Sequence, residues 1–465
     1  MDYRLPVILG LFSVACVVLS PMAKSDKSFF QGHGNDGRLP GLVTLVFSQV
    51  TTWIFARSLM NAAILGFYYG IWGTLAYAAY YLSFLTGARI VDHIRFKHNC
   101  DSIQAFLYER FGSVGSQTYN LVIGIRLISE VFANLLVIGI LFGAAGSAAY
   151  VWAILAFAFV ALLYSAIGGL HASLRTDFFQ MVLFLITLVV LLIFVMFNPE
   201  LNMTDLGFKA FDMGDPGPIL IMVALLQVWS YPMHDPVMMD RGFIADRKTT
   251  WRSFHHAAWL SALCIILFGS LGVFAGAHAM AQESMNAVLT RLLGDVPMLL
   301  FSVALIISAM STLDSTLSSS AKLIAVDMRV LSPTLYNGRL VMVIFMLLGL
   351  LMVFYGNQDL FSAVAVSGTA SMYLAPVIFF NVWGNSRSIP LWSYMVSFLL
   401  AVTGAVLYFT ESSGYTTWFN AVFGLEHKYS KLLLISASVL VGGVLAFWVG
   451  SLGKQKSKSI AEAAA

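Results

Sequence analysis

Hydroxyl side chains interrupt an apolar segment at residues 296–321. Between Ser308 and Ser320 the segment carries a series of Ser and Thr residues and one carboxylate, Asp314. Hydroxyls spaced i, i+3, i+4 and i+7 share one face of a helix, and hard cations prefer oxygen ligands. The spacing therefore predicts a cation site, although hydroxyls in such helices also bond to i−4 carbonyls or allow close helix packing. The four residues on this face are Ser308, Ser311, Thr312 and Ser315.

A second polar run lies in the apolar segment 42–65. Its side chains favour local bonds to the backbone over a regular helix. A helix broken at this point would free carbonyl oxygens to coordinate a cation, and the alternative is a continuous helix with one polar face. The polar residues are Thr44, Ser48, Gln49, Thr51 and Thr52.

A third polar cluster follows the pair Gly168-Gly169, where one apolar segment ends and the next begins. Asp177 and Gln180 open the second segment at i and i+3. Thr176-Asp177 can cap that helix, or the carboxylate can contribute to a cation site. Both interpretations stay open at this stage.

Arg126 and Glu130 lie at i and i+4 of one apolar segment, which favours an ion pair that carries both charges at reduced cost. A role of Arg126 in substrate binding is the alternative. Arg57 has no partner within its own segment. Charged residues inside a membrane usually face the interior and mark ion or substrate paths.

Apolar composition defines the elements that must position these residues. Of the 465 residues, 59% are apolar and 11% charged, and the mean hydropathy is +0.82. Soluble domains hold about a quarter charged residues, so a soluble enzyme, a nucleic-acid binder and a disordered protein are excluded. Segments of about 20 apolar residues cross a bilayer as helices. The sequence predicts an all-α polytopic membrane protein with thirteen spans, at residues 6–22, 42–65, 67–88, 117–144, 149–168, 174–197, 217–239, 253–280, 296–321, 339–356, 360–383, 389–410 and 431–452.

The positive charges predict the orientation. With the N-terminus outside, nineteen of the 26 Lys and Arg residues fall in inner segments and five in outer ones. This bias predicts an N-terminus outside and a C-terminus in the cytoplasm. Residues 6–20 could instead be a cleaved secretory signal, but no cleavage site stands out near Ser20–Ala23, so we keep this segment as a helix. The protein is expected in the cell (inner) membrane, as a monomer in the lipid bilayer.

Four segments, in order along the chain, resemble motifs of the sodium/solute symporter family, whose members carry proline, sugars, iodide, sialic acid and urea. The segment 27–40 is similar to the one before the first core helix of that family, and 101–112 is similar to its inner loop. Gly168-Gly169 followed by Thr176-Asp177 and Gln180 matches the third motif. Ala309–Leu313, reading Ala-Met-Ser-Thr-Leu, matches the fourth.

The resemblance implies a LeuT-type fold, with two inverted repeats of five helices, one extra N-terminal helix and two extra C-terminal helices. The expected division of the chain is an N-terminal helix and inner linker, a first repeat, a second repeat, two C-terminal helices and a cytoplasmic tail. Their bounds are 1–41, 42–200, 201–385, 386–453 and 454–465.

The resemblance also implies where coupling ions bind. One sodium would lie between the first and eighth core helices, held by the carbonyls of Phe47, Val50 and Ser308 and the hydroxyls of Ser311 and Thr312. A possible second cation site departs from the family at Asp314, where relatives usually have a neutral residue. Two carboxylates in one site raise its cation affinity or leave one of them protonated. This second site would comprise Asp177, Gln180, Ser311, Asp314 and Ser315. A further departure is Asp240-Arg241, where many members have Gln-Arg.

The expected function is sodium-coupled uptake of a small polar solute by alternating access, with sodium as the coupling ion, no other cofactor and no enzyme activity. Two alternatives remain: a transporter-like sensor domain, which the short segment after residue 453 disfavours, and a proton-coupled transporter of the same fold. Urea, an amino acid and an organic acid are all compatible with the substrate candidates. These are Gln49, Thr52, Tyr69, Gln227, Trp229, Tyr231, His234, Asp235, Ser371 and Tyr373.

Overall fold

A computed structural model describes residues 4–202, 211–355, 360–384 and 389–463. Within these residues the chain is helical and contains no β-strand. Nine of the described helical segments are long and apolar enough to cross a membrane, and three shorter apolar helices accompany them. The expected polytopic membrane protein is therefore confirmed, while the number of thirteen spans stays a prediction. The predicted tail 454–465 begins inside the last helix, and its residues 464–465 lie outside the described part of the chain.

The first half of the chain forms seven helices. They are α1 (Arg4–Leu19), α2 (Asp26–Gln31), α3 (Leu42–Trp53), α4 (Ala56–Ala79), α5 (Ser83–Val91), α6 (Ile103–Phe142) and α7 (Ala148–Met196). The second half begins with α8 (Pro216–Gln227), α9 (Tyr231–His234), α10 (Pro236–Gly242), α11 (Arg247–Ala277), α12 (Met285–Leu293) and α13 (Asp295–Lys322). It continues with α14 (Leu335–Tyr355), α15 (Leu360–Ser371), α16 (Leu374–Val377), α17 (Leu391–Ser412), α18 (Trp418–Phe423) and α19 (Lys428–Ala463).

Three of the long helices have a kink at a glycine with positive φ. Gly70 in α4 has φ 61°, Gly112 in α6 has φ 67° and Gly169 in α7 has φ 56°. Residues with a Cβ rarely adopt this conformation. At Gly169 a Cβ would also collide with the carbonyl oxygen of Phe29 in α2. The predicted boundary between the spans 149–168 and 174–197 therefore coincides with a break inside one continuous helical segment.

Two groups of helices pack around the broken elements. Helix α4 packs against α11 and α8, whereas α13 packs against α7 and α6. The first contact depends on small residues, since a Cβ on Gly272 of α11 would overlap the carbonyl of Ala63 in α4. Small residues let helix backbones approach closely in membranes. Helix α3 joins the two groups because it contacts both α11 and α7.

Candidate functional site

The polar run of the first core helix coincides with a helix break. Helix α3 ends at Trp53 and α4 begins at Ala56, with Phe55 in an extended conformation between them. Of the two alternatives, the structure has the broken helix. The carbonyls at the break face α13, because Thr312 donates to the oxygen of Thr52 at 3.3 Å and Ser308 donates to that of Ile54.

The residues expected to hold the first sodium lie on these two facing helices. The carbonyl of Phe47 accepts from the hydroxyl of Thr51 at 2.7 Å, and that of Val50 accepts from the amide of Ile54 at 2.9 Å. Ser308 and Thr312 contact carbonyls further along the break, as described above. The structure thus brings the expected elements together, but Ser308 and Thr312 contact carbonyls at the end of α3 and just beyond it, and Ser311 donates to Asp177.

The two carboxylates of the expected second site share one buried cluster. Asp177 of α7 accepts hydrogen bonds from Ser48 at 2.5 Å and from Ser311 at 2.7 Å. Asp314 of α13 accepts from Tyr164 at 2.8 Å and from Thr176 at 3.0 Å. Between the carboxylates, the hydroxyl of Ser173 lies 2.8 Å from Asp314 and 3.3 Å from Asp177, and 2.8 Å from the hydroxyl of Ser315.

A buried arginine lies in the same cluster, and the sequence did not reveal it. The Nη2 atom of Arg241 donates to Ser315 at 2.6 Å and lies 3.5 Å from Asp177, and its Nε donates to Ser48 at 3.1 Å. The sequence places Arg241 just after the predicted span 217–239, whereas in the structure helix α10 continues to Gly242 and the guanidinium is fully buried. A buried charge needs a partner. The two carboxylates Asp177 and Asp314, to which the sequence assigns no partner, were therefore the signal that a buried basic residue lies nearby.

Gln180 contacts the first helix, and no hydrogen bond joins it to either carboxylate among the described residues. Its amide nitrogen donates to the sulfur of Cys16 in α1 at 3.5 Å. Both residues are buried. Gln180 therefore contacts the packing surface of α1, one helical turn from Asp177 along α7.

A second buried network contains two arginines and two acids. Arg126 and Glu130 form the expected ion pair. Glu130 also accepts from Arg57 at 2.8 Å, which supplies the missing partner of that arginine. Arg126 in turn lies 3.2 Å from Asp235, which also caps α10 by accepting from the amide of Met238. The network ties α4 and α6 to the break between α9 and α10.

Several substrate candidates surround the interrupted helix α8–α10. Gln227 accepts from Tyr80 at 3.0 Å, and Tyr231 packs edge-on against Trp53 with centroids 5.7 Å apart. Three further candidates belong to this group. His234 is hydrogen-bonded to Ser367 at 2.9 Å, Ser371 is hydrogen-bonded to Ser230 at 3.2 Å, and Asp235 accepts from Arg126. On α3, the hydroxyl of Thr52 donates to the carbonyl of Ser48, whereas the buried amide of Gln49 has no hydrogen-bond partner among the described residues.

Three other candidates lie elsewhere. Trp229 is 39% exposed and contacts the rings of Phe379 and Trp383, so it faces outward from the bundle. The other two are Tyr373, which packs on Tyr394 and Phe398, and Tyr69, which lies beside His427 and Tyr429. Burial lowers the pKa of His427 below its usual value.

A wide cavity of about 810 Å³ opens at the end of the molecule predicted to be cytoplasmic. Its lining includes Asp240, Lys322 and Asp327. Lys322 donates to Asp240 at 2.5 Å and to Asp327 at 3.5 Å. Asp240 lines the cavity and Arg241, the next residue of α10, contacts the two-carboxylate cluster, so this helix connects the two.

Solved structures share this architecture. A sodium-coupled sialic acid symporter, in a substrate-bound outward-open state, aligns with a TM-score of 0.67 at 15% identity, covering 96% of this chain and 97% of its own. A nucleobase-cation-symport-1 family transporter aligns with a TM-score of 0.59 at 15% identity, covering 93% and 96%. A manganese transporter of Eremococcus coleocola follows with 0.51 at 12% identity, covering 92% and 100%. The chain therefore has the fold of membrane-embedded transporters.

The sodium:solute symporter family matches this sequence over residues 36–202. The match confirms the resemblance to this family over that part of the chain, which contains the second and third motifs. A comparison with curated protein sequences finds no match. The proteins that the chain resembles are transporters and not enzymes.

Proposed function

We propose that this protein is a sodium-coupled symporter that takes up a small polar solute. The observation that carries the proposal is the break after Trp53, whose carbonyls face the hydroxyls of Ser308 and Thr312 on α13. Carbonyls of a discontinuous helix and hydroxyls of its neighbour provide the oxygen ligands that sodium needs at mid-membrane. The ligand set expected from the family, Phe47, Val50, Ser308, Ser311 and Thr312, lies on the same two helices.

Coupling follows from the position of this site between two groups of helices. Helix α3 contacts α11 of one group and α7 of the other. Sodium bound between α3 and α13 stabilises the arrangement in which both supply ligands, and the solute completes the same arrangement. The coupling free energy then equals the difference in ion affinity between outward-open and inward-open states.

The second cluster carries a net charge that requires one more cation. Asp177 and Asp314 are fully buried, and Arg241 neutralises one of the two carboxylates. Sodium, with Asp177, Ser311, Asp314 and Ser315 as nearby ligands, would balance the other. A proton on Asp314 is the alternative. The four hydroxyls that donate to this carboxylate are compatible with it, because one of them can turn to accept from the protonated carboxyl group. This alternative is a proton-coupled transporter of the same fold.

The test is uptake and ligand binding by the purified protein. Thermal shift against amino acids, urea, organic acids and sugars, with sodium or with potassium, identifies solutes whose stabilisation grows with sodium. The best of them is then measured in proteoliposomes under an inward sodium gradient. Uptake that is equal with sodium and potassium would contradict the proposal. Stabilisation by a solute without any uptake would favour a sensor.

A further inference from the structure

Aromatic rings line a small cavity where the two interrupted helices meet. The rings come from the α3–α4 break, from the segment 77–81 and from the start of α9. Six of the seven lining residues are aromatic, the seventh is Ser58, and the hydroxyls of three of the tyrosines donate to protein atoms. The lining rings are Trp53, Phe55, Tyr77, Tyr80, Tyr81 and Tyr231.

The three tyrosine hydroxyls use their O–H donors within the protein. Tyr77 donates to Ser58 at 3.1 Å, Tyr80 donates to Gln227, and Tyr81 donates to the carbonyl of Trp53 at 2.8 Å. The three hydroxyl oxygens can still accept a hydrogen bond, so the selectivity for a cation comes from the rings and not from a lack of acceptors. Ring faces attract a cation, and methylated ammonium groups are the cations that aromatic cages recognise.

Unsatisfied donors lie beside the same rings. The indole nitrogen of Trp53 is buried without a partner among the described residues, as are Nε and Nη1 of Arg57. The guanidinium of Arg57 lies 5.0 Å from the ring of Phe55, and that of Arg126 lies 5.9 Å from the ring of Tyr231. A buried donor without an acceptor is costly. An anionic group of a ligand would satisfy these donors.

The charges around the cavity cancel. Arg57 and Arg126 are paired with Glu130 and Asp235, so this network has no net charge. A ligand with an uncompensated charge would add that charge to a buried region, whereas a zwitterion would not. The arginine side of the cavity suits an anion, and the tyrosine side suits a cation.

We propose that the transported solute is a zwitterion with a fully methylated ammonium group and a carboxylate. The ammonium group binds between the tyrosine rings, and the carboxylate accepts from Trp53 and Arg57. This inference rests on the proposed function, since it names the substrate of the same site. The cavity measures about 20 Å³ in this structure, so the rings must separate to admit the solute.

Four probes separate the contributions to binding. Glycine betaine has both groups, its carbon isostere 3,3-dimethylbutanoate lacks the positive charge, choline lacks the carboxylate, and glycine lacks the methyl groups. In a buffer that contains sodium, we expect glycine betaine to stabilise the protein at concentrations about tenfold lower than those at which the isostere, choline or glycine does so. Equal stabilisation by the isostere would overturn the inference and indicate an apolar carboxylic acid. No effect of glycine betaine, or an equal effect of glycine or choline, would also overturn it.

A matched pair of variants locates the binding. Trp53→Phe keeps a ring but removes the indole N–H, so we expect it to weaken glycine betaine about tenfold. Trp229→Phe makes the same change at an exposed position and should leave the affinity unaltered. Equal effects of the two would contradict the assignment. Thermal stabilisation by sodium alone, measured on the wild type and on each variant, shows whether the protein is folded and its ion site intact. If sodium does not stabilise the wild type, the proposed symport is contradicted. If sodium stabilises it but glycine betaine does not, only this inference is rejected.

Discussion

Arg241 illustrates how a single residue determines the charge of the proposed second cation site. Its guanidinium contacts Ser48, Ser315 and Asp177, which belong to three different helices. Without it, the two buried carboxylates would carry two uncompensated negative charges. With it, one remains, so the cluster accommodates one mobile cation and not two.

The first residue-scale prediction concerns the α13 hydroxyls. The double variant Ser311→Ala with Thr312→Ala removes two oxygen ligands, so we expect sodium affinity to fall by at least about tenfold. Sodium-dependent uptake in proteoliposomes measures this. Thr316→Ala with Ser318→Ala is the matched control, because these hydroxyls donate only to carbonyls of their own helix. Equal sodium dependence in both double variants would remove this site from the mechanism.

The second residue-scale prediction concerns Asp314. If a second sodium binds, uptake depends on sodium with a Hill coefficient above one, and Asp314→Asn flattens that dependence. Asp314→Ser, the residue type of many relatives, should retain partial coupling. If Asp314 carries a proton, Asp314→Asn instead transports well and loses its pH dependence.

The groups that face this carboxylate are Tyr164, Ser173, Thr176 and Ser315, with Asp177 and Arg241 beyond them. A sodium titration that stays hyperbolic from about pH 6 to 8, identical in the wild type and Asp314→Asn, would contradict both versions. Asp314 would then act only in packing.

Among the elements, α6 joins α4 to the broken helix through the Arg57–Glu130–Arg126–Asp235 network. Glu130 contacts both arginines, whereas Arg126 shares its contacts with Glu130 and Asp235. Loss of Glu130 therefore leaves Arg57 without an acid. Loss of Arg126 leaves Glu130 paired with Arg57.

This difference predicts an order of stabilities. Glu130→Leu should lower the free energy of unfolding by about 3 kcal/mol, as expected when one partner of a buried pair is removed, and Arg126→Leu should cost less. The variant with both changes should not recover full stability, because Arg57 and Asp235 remain unpaired. Chemical or thermal unfolding in detergent measures the order. If Arg126→Leu were fully stable but no longer bound solute, Arg126 would be a substrate ligand.

The contact between α4 and α11 is a second element-scale feature. Gly272→Ala would place a methyl group against the carbonyl of Ala63, so the helices must separate, at a cost of about 2 kcal/mol. Gly124→Ala in α6 is the matched control, since nothing lies within 4 Å of its added Cβ. A melting temperature lowered equally by both changes would show that the close approach contributes nothing specific.

At the scale of the whole molecule, the wide cavity and the charge bias predict the direction of opening. Tyr108 is exposed and lines the 810 Å³ cavity, whereas Tyr415 is exposed in the loop that follows α17. The three native cysteines are buried, so their replacement gives a background for labelling. With the predicted orientation, Tyr108→Cys reacts with an impermeant maleimide only from the cytoplasm and Tyr415→Cys only from outside.

Sodium and solute should also change the labelling of Tyr108→Cys, because alternating access closes the inner cavity when the outward state is favoured. Tyr415→Cys serves as the comparison. Labelling of both positions from the same side would reject the orientation. If the labelling rate of Tyr108→Cys is the same with sodium, with solute, with both and with neither, alternating access is contradicted.

The sequence by itself determined the class of protein and the elements of the first ion site. A charged fraction of 11% and repeated apolar segments exclude a soluble fold, and hydroxyl periodicity is a local property of α13. The approach of Asp314 to Asp177 followed from the family resemblance. The apolar composition and the hydroxyl periodicity are visible in a linear sequence, because they depend on residue content and on spacing within one helix.

Only the tertiary structure decided which distant groups meet. It placed Arg241 beside Asp177 and gave Arg57 its partner in Glu130. It also placed Tyr69, Trp229 and Tyr373 away from the interrupted helix α8–α10 and its neighbours on α3. The end of α10 and the rotation of each helix depend on packing against neighbours. A buried charge takes whichever partner that packing brings within a few ångströms, because a lone charge in the interior costs more than any local preference.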